Sequence, residues 1–359
     1  MTNIVKGQVV ALFAFDIGWE IDLPQLRSLT TTVSAQPISR KKQTPPYLQY
    51  LKPPQILSLG SAPELFGSAG VIQATAFDFG AVSIAFRWPL ADQTLLLDAL
   101  PQLSRELYER GLEAQARVLV EQLLGKINPA VNRPELAELV EDYFLFIIEE
   151  LDHEYSAEEL LKKHGAILAQ TLRLENTPLS PAQQADALSQ SVSYYQNDLV
   201  LTDWNAAIIY DRDYEDTATV LELLNVELLE ARYIDARLDT HISRYANLVR
   251  KRTVWPIPFR TPYLREIQEL AELRIEASLL DERVDNALKL IGDLYLAKLH
   301  TAAAKRFYLQ EWERGIAHKL EIISEFYQLL TDRVRNAQSH TLELIIILLI
   351  LVELVLALF

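Results

Sequence analysis

The chain contains no cysteine, which excludes a disulfide framework and any thiolate metal site. Glycine is scarce at 11 residues, an argument against phosphate-cradling loops, and there is no Walker loop, dinucleotide fingerprint or nucleophile elbow. The six histidines, His153, His164, His241, His300, His318 and His340, never fall at His-x-x-x-His or His-Glu-x-x-His spacing, so a helical zinc site is not expected. A net positive charge is missing too. With a formal charge of -15, a large direct nucleic-acid surface is not expected, though local basic patches occur. The first 23 residues have one lysine, an apolar run broken by Asp16 and no small-residue cleavage pattern, so they do not read as a signal peptide.

What the chain does have is a long apolar run at its end. Residues 342–359 read LELIIILLILVELVLALF. A bilayer core about 30 Å thick needs roughly 20 apolar residues in a helix, with about 17 as a lower limit. Two glutamates interrupt the run. Glu343 sits at its entrance, where a carboxylate stays among head groups, whereas Glu353 lies about 15 Å deeper along a helix. A central charge costs about 3 kcal/mol on an insertion scale, while each Leu, Ile, Val or Phe returns about 0.3–0.6 kcal/mol. Insertion is therefore favourable by a few kcal/mol. At that depth Glu353 marks a helix–helix contact or proton-linked site, or it is a neutral glutamate tolerated in a tail anchor. A third reading buries the helix in an oligomer core. Arg333 and Arg335 precede the run and no basic residue follows it, so a span would leave the N-terminal body in the cytoplasm.

Taken in order, residues 8–16 (QVVALFAFD) read as a strand, and Asp22 with Pro24 reads as the capped start of a short helix. The Ser/Pro segment around Arg40, Lys41 and Lys42 reads as a surface loop. Residues 71–86 predict a hairpin turning at Asp78 to Gly80. Residues 92–125 have helical spacing, with Leu96, Leu100, Leu103 and Leu107 on one face, ended by the breaker cluster at Asn128 to Pro134. Residues 143–151 predict another strand, and Ser156 with Glu159 a capping box. The stretch 191–211 offers two or three more strands, with a turn at Asn197 and Asp198. Six or so strands in all point to an α+β domain over residues 1–212.

Beyond Glu215 the pattern changes. Leu224, Leu228, Ala231, Leu238, Ile242, Tyr245 and Val249 trace one helical face. A second seam runs Leu270, Leu273, Ala277, Leu280, Val284, Ala287, Ile291 and Leu294, and a third Ile316, Leu320, Ile323, Tyr327, Leu330, Val334 and Ala337. The first two predict an antiparallel hairpin. Between the second and third the phase drifts by one residue near Lys298 and Lys305, read as a bend that lets the third helix pack on the others. The hairpin tip carries Arg250, Lys251, Arg252, Trp255, Phe259 and Arg260, cations beside aromatics that suit a head-group interface, or a Pro-stiffened solvated turn. The acidic group Asp203, Asp211, Asp213, Glu215 and Asp216 has the composition of a Mg²⁺ site, but at the start of a long helix carboxylates also satisfy free N–H groups and the dipole.

The pieces Leu342-Glu343, Ile345-Ile346-Ile347, Leu349-Ile350 and Glu353 resemble the C-terminal signature of the required-for-meiotic-nuclear-division family. That family usually has Trp where Leu344 stands, so an interfacial aromatic anchor is missing here. The stretch FDFGAVSIAF (77–86) is similar to the strand pair that opens the family's conserved domain. Ala169-Gln170-Thr171 resembles its Ala-Gln-Ser, and Lys319-Leu320 its basic residue and Leu, with Ala317 in place of Asn. The resemblance implies a protein of no assigned activity whose mitochondrial relatives sit at the inner membrane and support organellar translation.

Together these readings predict an α+β domain (1–212), long antiparallel coiled-coil helices (213–340) and a C-terminal transmembrane helix (341–359). The expected role is a membrane-anchored, non-enzymatic scaffold that forms homo-oligomers and binds a protein partner, without a cofactor. The alternative is a metal-dependent hydrolase or nuclease using Asp211 and Asp213.

Overall fold

Strand β1 (Asn3–Asp16) is the axis of the fold, because it is paired along both edges. The computed structural model describes residues 2–30, 53–90, 95–250, 263–275 and 294–357. β1 is followed by the two-residue β2 (Glu20–Ile21) and the short helix α1 (Leu23–Leu29), whose N-cap Asp22 accepts a hydrogen bond from the Gln25 N–H at 3.0 Å. Three strands come next, β3 (Gln55–Leu65), β4 (Ser68–Ala76) and β5 (Ala81–Pro89), then β6 (Leu95–Leu96), α2 (Leu100–Glu109) and α3 (Leu112–Ile127). β7 (Val131–Asn132), β8 (Val140–Leu151), α4 (Ala157–Leu172) and α5 (Pro181–Ala187) lead to β9 (Ser191–Val192), β10 (Leu199–Thr202) and β11 (Ala206–Tyr210). The remaining elements are helical: α6 (Glu215–Arg250), α7 (264–275), α8 (Leu294–Arg306) and α9 (Leu309–Ala357).

The main sheet runs β3-β4-β5-β1-β8-β11-β10-β9, with β6 paired to the start of β1, and is mixed. β1 is antiparallel to β5 from Gln8↔Pro89 to Asp16↔Ala81, and to β8 from Gly7↔Ile148 to Phe15↔Val140. The β8–β11 pair alone is parallel, Ala206↔Phe144 to Tyr210↔Ile148, and its crossover carries α4 and α5. β2 and β7 form a separate two-stranded ladder.

Alternation along the strands sends successive side chains to opposite faces. Val9, Phe13, Phe15, Phe144 and Phe146 share one core with Leu103 and Leu107 of α2, Val120 of α3 and Leu168 and Leu172 of α4. Phe144 meets Tyr108 of α2 edge to face, whereas its neighbour Tyr143 meets Phe307, just past α8, at 5.0 Å between ring centroids. The Asn225 amide of α6 donates to the Glu141 carbonyl at 3.1 Å. Helices therefore cover both faces of the sheet.

The chain divides into two compact units. One comprises Met1–Ala231 with Arg283–Gln310, the other Arg232–Glu282 with Glu311–Phe359. In the first, every residue of α6 from Leu221 to Glu230 is buried. That part of α6 is a core helix rather than a one-faced stalk. In the second, Leu238 and Tyr245 of α6, Leu270 and Leu273 of α7 and Ile323 and Leu330 of α9 form one buried cluster. Its polar margin holds Tyr245, whose hydroxyl donates to Glu269 at 3.0 Å, and Lys319, whose ammonium lies 2.7 Å from both Asp235 and Asp239.

Several expectations meet the structure directly. The hairpin at Asp78 to Gly80, the strand at 143–151, the Asp22 cap and the Ser156 capping box are all present. Leu96 is a correction: it lies in β6, a 3-10 turn follows at Leu97–Ala99, and the α-helical region starts at Leu100 and breaks at Gly111 (φ 67°) into α2 and α3. β3 carries no clear strand signal in the sequence, because Gly60 and Pro63 interrupt its alternation. Lys298 and Lys305 both lie inside α8, and the helix breaks later, at Phe307–Tyr308, where Tyr308 adopts φ 54°. Tyr327 is exposed and Phe326 packs on the cluster instead, since a 3.5-residue seam drifts by about 20° per heptad on a straight helix. The second seam between Ala277 and Ile291, and the basic triplet Arg40 to Lys42, lie outside the described residues.

The β4–β5 turn depends on Gly80. Its φ is 102°, and an added Cβ would lie 1.8 Å from the Gly18 carbonyl oxygen. Backbone cannot yield there as a flexible side chain would. Gly80→Ala is expected to lower stability by about 2–4 kcal/mol, measured as a fall in unfolding midpoint against the native chain.

Candidate functional site

Three groups of residues have the chemistry of a site: the acidic turn at 203–216, the buried carboxylates of α6 and the end of α9. In the first group Asp203 is fully buried between two guanidinium groups. Arg173 Nε lies 2.6 Å from one of its oxygens and Arg306 Nη2 2.5 Å from the other, while the Trp204 N–H donates to it at 2.8 Å. Both arginines also pair with Asp186, Arg306 at 2.8 Å. Burial pushes the Asp203 carboxyl above its ordinary range, against the pull of the Trp204 N–H and the arginines, and the same carboxylates hold Arg306 above the usual arginine range. On Asp186 the arginines dominate and hold the carboxyl low. This network ties the β10–β11 turn to the end of α4, to α5 and to α8.

Asp211 has a local role. Its carboxylate accepts the Asp213 N–H at 2.9 Å, and Glu215 and Asp216 stand in the first turn of α6, where carboxylates oppose the free N–H groups. The turn does not gather its acids around a common point. Among the described residues no group of three or more His, Cys, Asp or Glu side chains is placed to hold a metal ion.

α6 carries Glu222, Glu227 and Glu230 in its buried stretch. His300 Nε2 lies 3.3 Å from Glu227. Burial, with the nearby Asp16 carboxyl adding repulsion, pushes Glu230 well above the ordinary carboxylate range. Sequence periodicity gave no sign of these burials, since glutamates on an amphipathic helix normally mark its wet face.

The third group is the end of α9, a helix of 49 residues and so about 74 Å long. Leu342, Leu344, Ile346, Ile347, Leu348, Leu349, Ile350, Leu351, Val352, Leu354, Val355 and Leu356 are all exposed, from 47% to 73%. Thr341 and Ile345 are half-buried. Glu343 takes a hydrogen-bonding contact with His340 at 3.3 Å, and Glu353 is exposed. Among the described residues this is the one helix long and apolar enough to cross a membrane. Of the expected hairpin-tip residues, Arg250 is the last residue of α6, while Lys251, Arg252, Trp255, Phe259 and Arg260 lie outside the described residues.

Two outcomes follow for the buried charges. Removing the Asp203 carboxylate with Asp203→Ala leaves two largely buried guanidiniums facing each other, and unfolding measurements should show a loss of about 3 kcal/mol. For Glu230 the folded pKa lies above the unfolded one, so its contribution is greatest at low pH and is lost as pH rises toward the folded value. Glu230→Gln should therefore stabilise the protein by about 1 kcal/mol or more at pH 7 and change little at pH 4. An equal effect at both pH values would rule the titration out.

Residues 6–217, from early β1 to the start of α6, match the family described as "Uncharacterized protein MJ0711, N-terminal domain". The chain is similar to uncharacterized protein MJ0711 of Methanocaldococcus jannaschii, with 26% identity over 242 residues, 67% of this chain and 73% of that protein. No solved structure matches. The matched stretch holds all of the sheet but the first three residues of β1, with α1 to α5, whereas the apolar end of α9 lies beyond it. Because the match covers more than half of the sequence, the chain belongs to the MJ0711 N-terminal domain family.

Proposed function

We propose that the protein is a non-enzymatic scaffold held in a membrane by the end of α9, with its α+β domain on the cytoplasmic side. One observation carries the reading: from Leu342 to Leu356 the helix exposes large aliphatic side chains on every side. Twelve such side chains side by side exceed the apolar patches a soluble monomer shows, and hydrocarbon solvates them at no cost. Arg333 and Arg335 on the near side of the run favour cytoplasmic retention of everything before it.

The helices before the run support a coiled-coil stalk. Tyr245 with Glu269, Arg274 with Ser324, and Lys319 with Asp235 fit one arrangement, in which α7 runs against α6 and α9. The scaffold role assigns the α+β domain to a protein partner, with homo-oligomer formation through the helices. The resemblance of Leu342 to Glu353 to the required-for-meiotic-nuclear-division signature points the same way, toward a membrane-bound support role rather than a reaction. The metal-dependent reading of Asp211 and Asp213 has no comparable support, since Asp211 already caps its own turn.

An alkaline carbonate wash tests the anchor. Membranes carrying the full chain should retain it in the pellet, and a version ending at Gln338 should be released. Release of both would make the apolar helix part of a soluble assembly.

A further inference from the structure

Resting on the membrane reading, the strongest remaining question is what Glu353 meets. Among the described residues Glu353 has no hydrogen bond or ion pair, and there is no second helix of membrane length to supply a partner. Its direction is informative. Leu330 is the last fully buried residue of α9 on the intrachain cluster. At about 100° per residue, Glu353 is turned about 140° from Leu330, while Thr341 and Ile345 lie within about 60° of it. Thr341 and Ile345 are also the two half-buried residues of the stretch 341–356. Glu353 therefore projects from the side of the helix away from Leu344 and Leu348, which lie about 180° and 140° around the helix from it.

Around Glu353 the positions Leu342, Ile346, Leu349 and Leu356 follow spacings of four, three, four and three residues, the pattern by which one helix seats against another. In a lipid environment apolar side chains alone give helices little reason to associate, and hydrogen bonds between spans supply it. A carboxyl about 15 Å inside the apolar run needs a polar group at the same depth. A second copy of this chain, inserted in the same direction, places its own Glu353 there without further requirement.

We propose that two copies of α9 pack in parallel through the face of Leu342, Ile346, Leu349, Glu353 and Leu356, with the paired Glu353 carboxyl groups hydrogen-bonded to each other. The glutamate then sets register, as a single polar residue does at a coiled-coil core position. Leucine and isoleucine fill the rest of the contact, so the helices meet through side chains rather than by close backbone approach.

The absence of cysteine makes the test clean. Full-length protein in bilayers carries one substitution at a time, Ile346→Cys or Leu349→Cys on the proposed face and Leu344→Cys or Leu348→Cys on the other side. Oxidation should cross-link the first two as dimers and leave the second two at least fivefold lower. Pairing read by energy transfer between labelled copies should fall about three- to tenfold in Glu353→Leu and stay near native in Glu353→Gln, which keeps a hydrogen-bonding amide. If all chains resist carbonate but cross-linking is uniform, or Glu353→Leu pairs as well as the native chain, the pairing is wrong and the anchor stands. If carbonate releases the native chain, the membrane reading fails and the pairing falls with it.

Discussion

The double pairing of β1 is the constraint on which the folded domain depends. A strand hydrogen-bonded along both edges has its backbone satisfied, and the chemistry of its two rows of side chains then decides which faces must be covered. In β1 nearly every residue from Val9 to Phe15 is apolar, so neither face tolerates water. The consequence runs outward through the sheet. α2, α3 and α4 cover one face, α6 and α8 contribute to the other, and the Arg173–Asp203–Arg306 group links the connections of these layers. A charged cluster in that place is a fastening whose value lies mostly in what its loss would expose.

The same physical rule gives the end of α9 its meaning. In the sheet, apolar side chains are removed from water by neighbours; from Leu342 to Leu356 they are not. An environment outside the chain has to do what the chain does elsewhere for itself, and a bilayer is the simplest one of the right thickness. Glu353 sharpens this, because hydrocarbon accepts the leucines around it but not an unpaired carboxyl. On the membrane reading proposed above, the helix calls for two things at once, a lipid surround and a polar partner at one depth.

The family match falls on the sheet domain, while the membrane reading rests on the helix beyond it. Those two facts divide the protein's chemistry sensibly. Packing constraints on a two-sided sheet are specific and leave a recognisable pattern in sequence, whereas an apolar helix is satisfied by many aliphatic sequences of the same length.

Local signals in the sequence determined the local elements. Gly at a turn needing positive φ marked the β4–β5 hairpin, Asp22 and Ser156 marked helix starts through their side-chain oxygens, and a run of aliphatics marked the apolar helix. Each works because the interaction spans only a few residues. The tertiary structure alone decided the order of strands, the parallel β8–β11 pair, the burial of Glu222, Glu227 and Glu230, and the meeting of Arg173, Asp203 and Arg306. Those depend on residues far apart in the chain. Hydrophobic periodicity reports which side of an element is apolar but not what is packed against it, and a glutamate reads as solvent-facing until another layer closes over it.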